Sequence, residues 1–243
     1  MTRRGLGLLG GLAAVGAGGV GAYRFLFRPW HQRWGATDEE IARPMPGDEV
    51  IPKPAFSSTR AITLHATPED IWPWLAQLGR GRGGFYSFDW LEKLLGLDIT
   101  SSDRILPGFQ HLAPGDEIPA APDYALPVRA VEPLRFLVIG PRPDEPRDSA
   151  ELTWAIGLYP REDGTTRLVV RLRSVYSWRP GEPLVTLFIE PGHFLLERQM
   201  LRGIKRRAEA LAKHGHEHRP EGGSPSAGEP QPSSLHPSGD FIS

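Results

Sequence analysis

PGHFLLERQMLRGIKRRAEALAK, residues 191 to 213, decides the fold. At about 100° per residue, Met200, Leu201, Ile204, Ala208 and Leu211 fall on one side of a helix, with Arg198, Arg202, Lys205, Arg206 and Glu209 opposite. Such a helix has to lay its apolar stripe on another layer. The basic run reads as a solvated face and not as a reader of nucleic acid. Two polar residues interrupt the stripe. Glu197 projects within about 20° of Ile204, and His193 lies on the same face four residues earlier. A carboxylate there is costly unless paired or protonated, which makes Glu197 and His193 the candidate catalytic pair. Three roles stay open: a structural pair, Glu197 with His193 or with an arginine such as Arg82; the polar end of a ligand site; or acid/base chemistry.

Working back from the helix, the chain reads as strands. Thr166 to Trp178 alternates Leu168, Val170, Leu172, Ser174 and Tyr176 with Arg167, Val169, Arg171 and Arg173, and Glu151 to Tyr159 places Leu152, Trp154, Ile156 and Leu158 on one face. Glu162-Asp163-Gly164 joins the two as a hairpin. Further strands are expected near Asp116 to Ile118, Leu126 to Glu132 and Phe136 to Ile139, with a first strand from Thr59 to Ala66. Thr67-Pro68-Glu69-Asp70 supplies a hydroxyl cap, a proline in the first turn and two acids for a helix reaching Leu78. A second short helix runs from a Ser87 cap to Leu95. The sum is an α+β domain over 59–213, an antiparallel sheet with one covered face holding a long terminal helix.

The flanks differ in composition. Residues 5 to 23 are apolar but hold eight glycines, with Arg3, Arg4, Arg24 and Arg28 around them. Nineteen helical residues span roughly 28 Å, so residues 1–27 are expected to form a single-pass membrane anchor whose helix stands apart from the domain. A cleavable signal peptide ending near Val20-Gly21-Ala22 is the competing reading. Arginines on both sides leave the orientation undecided. Residues 28–58 carry five prolines and read as a linker, relieved by a capping box at Thr37-Asp38-Glu39-Glu40 that starts a helix to Arg43. Residues 214–243, rich in Pro, Gly, Ser and Glu, read as a disordered tail.

Of the 243 residues, 28 are Lys or Arg and 29 are Asp or Glu, a balance that gives no drive toward phosphate backbones. The absence of cysteine removes disulfides, thiolate metal sites and cysteine nucleophiles. Gly79-Arg80-Gly81-Arg82-Gly83-Gly84 has the form G-x-G-x-x-G, but it follows a helix where a dinucleotide fingerprint follows a strand, so it reads as a tight connection. His214, His216 and His218 sit in the tail without a packed surround to orient them, and no metal or cofactor is expected.

Several stretches also carry a resemblance: Arg33-Trp34-Gly35-Ala36-Thr37, Pro46-Gly47-Asp48-Glu49, residues 81–92 from Gly81 to Glu92, and residues 197–205 from Glu197 to Lys205. On these the chain resembles the SRPBCC (START-like, helix-grip) superfamily, in particular its bacterial polyketide cyclase/dehydrase-like branch. The resemblance implies a curved sheet wrapped on the terminal helix, with a mostly apolar cavity between them for lipids, sterols, polyketides or similar molecules. Some members of the superfamily are cyclases or hydrolases and many only bind, so it carries fold further than function.

The reading is therefore a membrane-tethered domain that binds an apolar or amphipathic small molecule, with Arg82, Tyr86, Asp89, Trp90, Trp154, Tyr176, His193, Glu197, Met200 and Leu201 as ligand-binding candidates. The alternatives are a cyclase or dehydratase using Glu197, His193 and Tyr86, and a scaffold at the membrane surface with a filled core. Cavity volume separates them.

Overall fold

In a computed structural model of the protein, residues 18–19, 21–94, 96–142, 145, 152–175 and 183–217 are described, the backbone alone at 91, 92, 183–188 and 215–217. Six strands form one antiparallel sheet: β1 (Phe56–Leu64), β2 (Glu117–Ala121), β3 (Tyr124–Glu132), β4 (Phe136–Ile139), β5 (Leu152–Pro160) and β6 (Thr166–Ser174), in the order β1-β6-β5-β4-β3-β2. The alternation read from the sequence sets the register. Arg60, Val170 and Ile156 lie in one row across β1, β6 and β5, and Ile62, Leu168 and Leu158 in the next. Gly164, at φ +77°, turns the β5–β6 hairpin, and the Asp163 carboxylate accepts the Thr165 N–H at 3.0 Å.

The long terminal helix covers this inner face but starts earlier than its proline suggests. It runs from Pro183 to Glu217 and passes through Pro191 without ending there. A proline inside a helix removes one backbone donor, and here the turn around it is fastened from outside, because Glu190 and Phe194 pack against the chain before the sheet. Met200, Leu201, Ile204 and Ala208 are buried under the sheet, each large aliphatic among them contributing about 1.5–3 kcal/mol relative to exposure. The basic side is not wholly solvated: Lys205 Nζ donates to the Thr63 carbonyl at 2.8 Å, and the Arg198 and Arg202 guanidiniums lie 5.2 and 5.9 Å from the Trp34 ring.

Of the remaining elements, α1 (Arg28–Gln32) continues from a π-helical turn over Tyr23–Phe27, α2 is Asp38–Ala42, α3 is Pro68–Ala76 and α4 is Asp89–Leu94; the terminal helix is α5. Of residues 28–58, expected to be a linker, α1 packs on α5, residues 35–48 lie on the outer face of the sheet, and 56–58 begin β1. Arg167 reaches both Glu40 carboxylate oxygens at 2.7 Å and the Gly35 carbonyl at 2.7 Å. Arg171 donates to the carbonyls of Glu40, Ile41 and Arg43 and to Asp48. Met45 joins Ala61, Val138, Ala155 and Val169 in a second apolar cluster. Gly35, at φ +72°, lies so close to β1 that a Cβ there would stand 2.1 Å from the Ala61 carbonyl oxygen. The sheet is thus covered on both faces where one was expected, because the strand arginines are held by backbone carbonyls and carboxylates and not by water.

The apolar run's last residues are likewise attached to the domain. The Tyr23 hydroxyl donates to Glu190 at 3.4 Å, and the Phe27 ring lies 6.4 Å from that of Phe194, so the helix expected to stand apart does not do so at this end. Among the described residues no helix is long and apolar enough to cross a membrane. Residues 1–17 and 20, most of the expected span, and 218–243, most of the expected tail, lie outside the described residues.

Candidate functional site

Between the inner face of the sheet and α5 lies a cavity of about 480 Å³. Its walls are mainly apolar: Phe56, Leu126, Leu152, Trp154 and Leu172 from the sheet, Phe85 and Leu97 from the loops flanking α4, and Leu196 and Met200 from α5. Tyr124 and Ile189 line it and are also exposed, marking its mouth.

One wall is polar. Glu190, His193 and Glu197 stand along a single face of α5, and behind them the sheet and α1 supply the counter-charges. Arg60, fully buried on β1, donates through Nη1 to Glu197 Oε2, while Trp154 Nε1–H donates to Oε1 at 2.8 Å. The same Arg60 Nη1 lies 3.2 Å from His193 Nδ1, and Arg60 Nε donates to the His31 carbonyl at 2.8 Å. One turn back, Arg28 grips Glu190 through two N–H bonds of 2.8 and 3.0 Å. The Phe194 ring covers Arg60, its centroid 5.1 Å from the guanidinium carbon, and meets the rings of Trp30 and His31 at 5.4 and 5.5 Å. Pairing and hydrogen bonding offset the cost of placing these carboxylates in a largely apolar site.

The surroundings set the protonation of the nearby groups. Burial lowers the His193 pKa; Glu197 opposes this and Arg60 adds to it. His31, which has no exposed surface, is lowered to about 4 by burial and then by Arg60, and neither of its ring nitrogens has a hydrogen-bond partner among the described residues. Burial, and after it Glu190, raises the Tyr23 hydroxyl to about 12. Both imidazoles are therefore neutral at pH 7.

Sheet order and gripping helix decide the architecture. This is a helix-grip fold. It is the α+β architecture implied by the resemblance to the SRPBCC superfamily. Neither a family model nor a curated protein matches the chain. Among solved structures it is similar to a protein from Thermobifida fusca (16% identity, 64% of this chain and 94% of that one, TM-score 0.40) and to protein MLL2253 from Mesorhizobium loti (18%, 62% and 98%, 0.35). A third is CalU16 from Micromonospora echinospora (15%, 66% and 88%, 0.29). At these TM-scores the likenesses add no argument to that of the strand order.

Of the residues chosen from the sequence, Trp154, His193, Glu197 and Met200 meet at the cavity. Leu201 is fully buried and does not line it. Tyr176 lies outside the described residues. The motif-rich stretch around α4 builds structure. Tyr86 is 1% exposed, donates its hydroxyl to the Trp74 carbonyl at 3.0 Å and packs on Gly203, so it stands behind the wall formed by its neighbours Phe85 and Ser87. Asp89 accepts the N–H and hydroxyl of Ser101 at 3.0 and 2.6 Å, and Trp90 is 66% exposed away from the cavity. Arg82 donates to the Ala76 carbonyl at 2.9 Å and stacks on Phe109; the arginine that pairs with Glu197 is Arg60. The glycine loop is the expected tight connection, closed by a bridge between Gly79 and Gly84. Among the described residues no three side chains are grouped to hold a metal.

Arg60, Glu190, Arg28 and His31 were missed. Arg60 had a signal: it falls in phase with Ile62 and Leu64 on the face that the strand must bury.

Proposed function

We propose that this protein binds an apolar or amphipathic small molecule in the cavity between the sheet and α5. The single observation that carries this reading is the cavity itself. Its volume of about 480 Å³ lies within the range of roughly 300–1,000 Å³ usual for ligand sites, and its apolar walls end on one polar face. A scaffold with a filled core would have no such space. The cyclase-type reading is the weaker one, since Tyr86 does not reach the cavity and the Glu197 carboxylate is already engaged by Arg60 and Trp154. Native mass spectrometry of protein purified from its own cells, with organic extraction of whatever travels with it, tests the proposal. A bound hydrophobic compound is the expected outcome. Repeated recovery of ligand-free protein that also fails to bind any neutral apolar dye overturns it.

Tethering is the finer part of the proposal. The apolar residues 5 to 23 would hold the domain at a membrane, and cell fractionation decides: full-length protein in the soluble fraction removes the tether and leaves the cavity reading intact.

A further inference from the structure

Arg60 dictates which nitrogen of His193 carries the proton. A guanidinium has donors only, so at 3.2 Å from Arg60 Nη1 the His193 Nδ1 must present its lone pair. Burial keeps the ring neutral, and its one proton therefore sits on Nε2. Nε2 has no partner among the described residues and is not among the polar atoms sealed from solvent. Since His193 lines the cavity, this N–H is a donor offered to whatever enters.

The other polar groups of the wall are engaged. Glu197 accepts from Arg60 and Trp154, and Glu190 from Arg28 and Tyr23. Among the described residues two carboxylates face two guanidiniums here, which leaves this part of the wall without a net charge for an ionised head group to neutralise. A carboxylate head would have to share an arginine with Glu190 or Glu197, and an ammonium head would have to displace one; either exchange strands a charge in an apolar site. A hydroxyl brings a proton that needs an acceptor of its own, whereas a carbonyl oxygen needs only the donor.

Resting on the reading that the cavity holds an apolar molecule, we infer that this ligand is uncharged and carries a carbonyl oxygen, as a ketone, aldehyde or ester, which accepts the Nε2–H of His193.

The test is displacement of the neutral fluorophore N-phenyl-1-naphthylamine from the full chain at pH 7.5. The competitors are 2-decanone, its isosteric alkene 2-methyl-1-decene, decanoate and decylamine. Wild type should prefer the ketone to both charged compounds. In His193→Phe the ketone-to-alkene affinity ratio should fall about three- to tenfold, the worth of one neutral hydrogen bond, with alkene affinity retained. An unchanged ratio, or decanoate binding more tightly than the ketone, overturns the inference while leaving the cavity reading standing. If the fluorophore and all four competitors fail to bind, the cavity reading itself falls. A measurement that needs no variant is the nitrogen-15 NMR spectrum of the histidine rings: a His193 proton on Nδ1 overturns the inference, and a proton on Nε2 supports it.

Discussion

Arg60 on β1 and Glu197 on α5 form a fully buried ion pair that ties the inner face of the sheet to the helix it grips. They lie 137 residues apart in the chain, and Trp154 of β5 joins them through the second carboxylate oxygen. Removing one partner leaves the other charged, buried and unpaired. Glu197→Gln should therefore lose about 3–5 kcal/mol of stability. For a chain of this size that is a fall in Tm on the order of 10 °C, read by circular dichroism. The paired replacement Arg60→Met with Glu197→Met should recover most of the loss; a double variant as unstable as the sum of the singles would show that no coupling exists.

His31 gives the stability a particular acid limb. Its folded pKa of about 4 lies below the ordinary value of 6.5, so between these values the unfolded chain binds more protons than the folded one. Stability from this group is complete above about pH 6.5 and is lost as pH falls toward 4, up to about 3 kcal/mol in all. The groups around it are Arg60, Glu190, Arg28 and Tyr23. Since neither ring nitrogen has a hydrogen-bond partner among the described residues, and Nε2 stands 4.0 Å from the Glu190 carboxylate, His31→Phe should melt at the same or a higher temperature at pH 7.5 and show a shallower decline between pH 6.5 and 4. Parallel acid limbs in the two proteins would contradict this.

The segment over residues 34–48 should be indispensable to the domain. Apart from Thr63 and Thr59 of β1, the acceptors that allow Arg167 and Arg171 to be buried are Glu40, Asp48 and four carbonyls of this segment. A chain begun at Phe56 leaves both guanidiniums without those partners and uncovers Val169 and Ala155. It should show no cooperative thermal transition, and calorimetry giving a native-like melt would restore the linker reading. Within the segment, burial alone would raise the Glu40 pKa, but hydrogen bonds from Arg167 and from Thr37 more than offset it and leave it lowered. Glu40→Gln should accordingly be most destabilising near neutral pH, with the difference shrinking in acid, where the wild-type carboxylate is protonated too.

Gly203 on α5 is a site of close approach. A Cβ there would stand 2.2 Å from the Tyr86 carbonyl oxygen and 2.7 Å from the Tyr86 Cβ, and Tyr86 is itself held at φ +58°. Alanine improves helix propensity by about 1 kcal/mol, yet overpacking of this kind costs about 1–3 kcal/mol. A lower urea midpoint for Gly203→Ala is therefore expected; a higher one would show that the loop yields freely.

The sequence by itself determined the strands, their inner face and the helix that covers them, because alternation and the 3.6-residue stripe are local properties of each segment. It also determined that Glu197 and His193 had to be explained, since a polar group on an apolar stripe carries an energetic cost wherever the stripe is buried. Only the tertiary structure decided what relieves that cost. Arg60 and Arg28 reach Glu197 and Glu190 across long chain separations, and nothing in local periodicity marks one arginine as a buried partner and another, such as Arg82, as a loop brace. For the same reason the proline-rich residues 28–58 read as a linker: the hold of residues 35–48 on the sheet comes from backbone carbonyls and a few carboxylates meeting Arg167 and Arg171, and backbone carbonyls are common to every sequence.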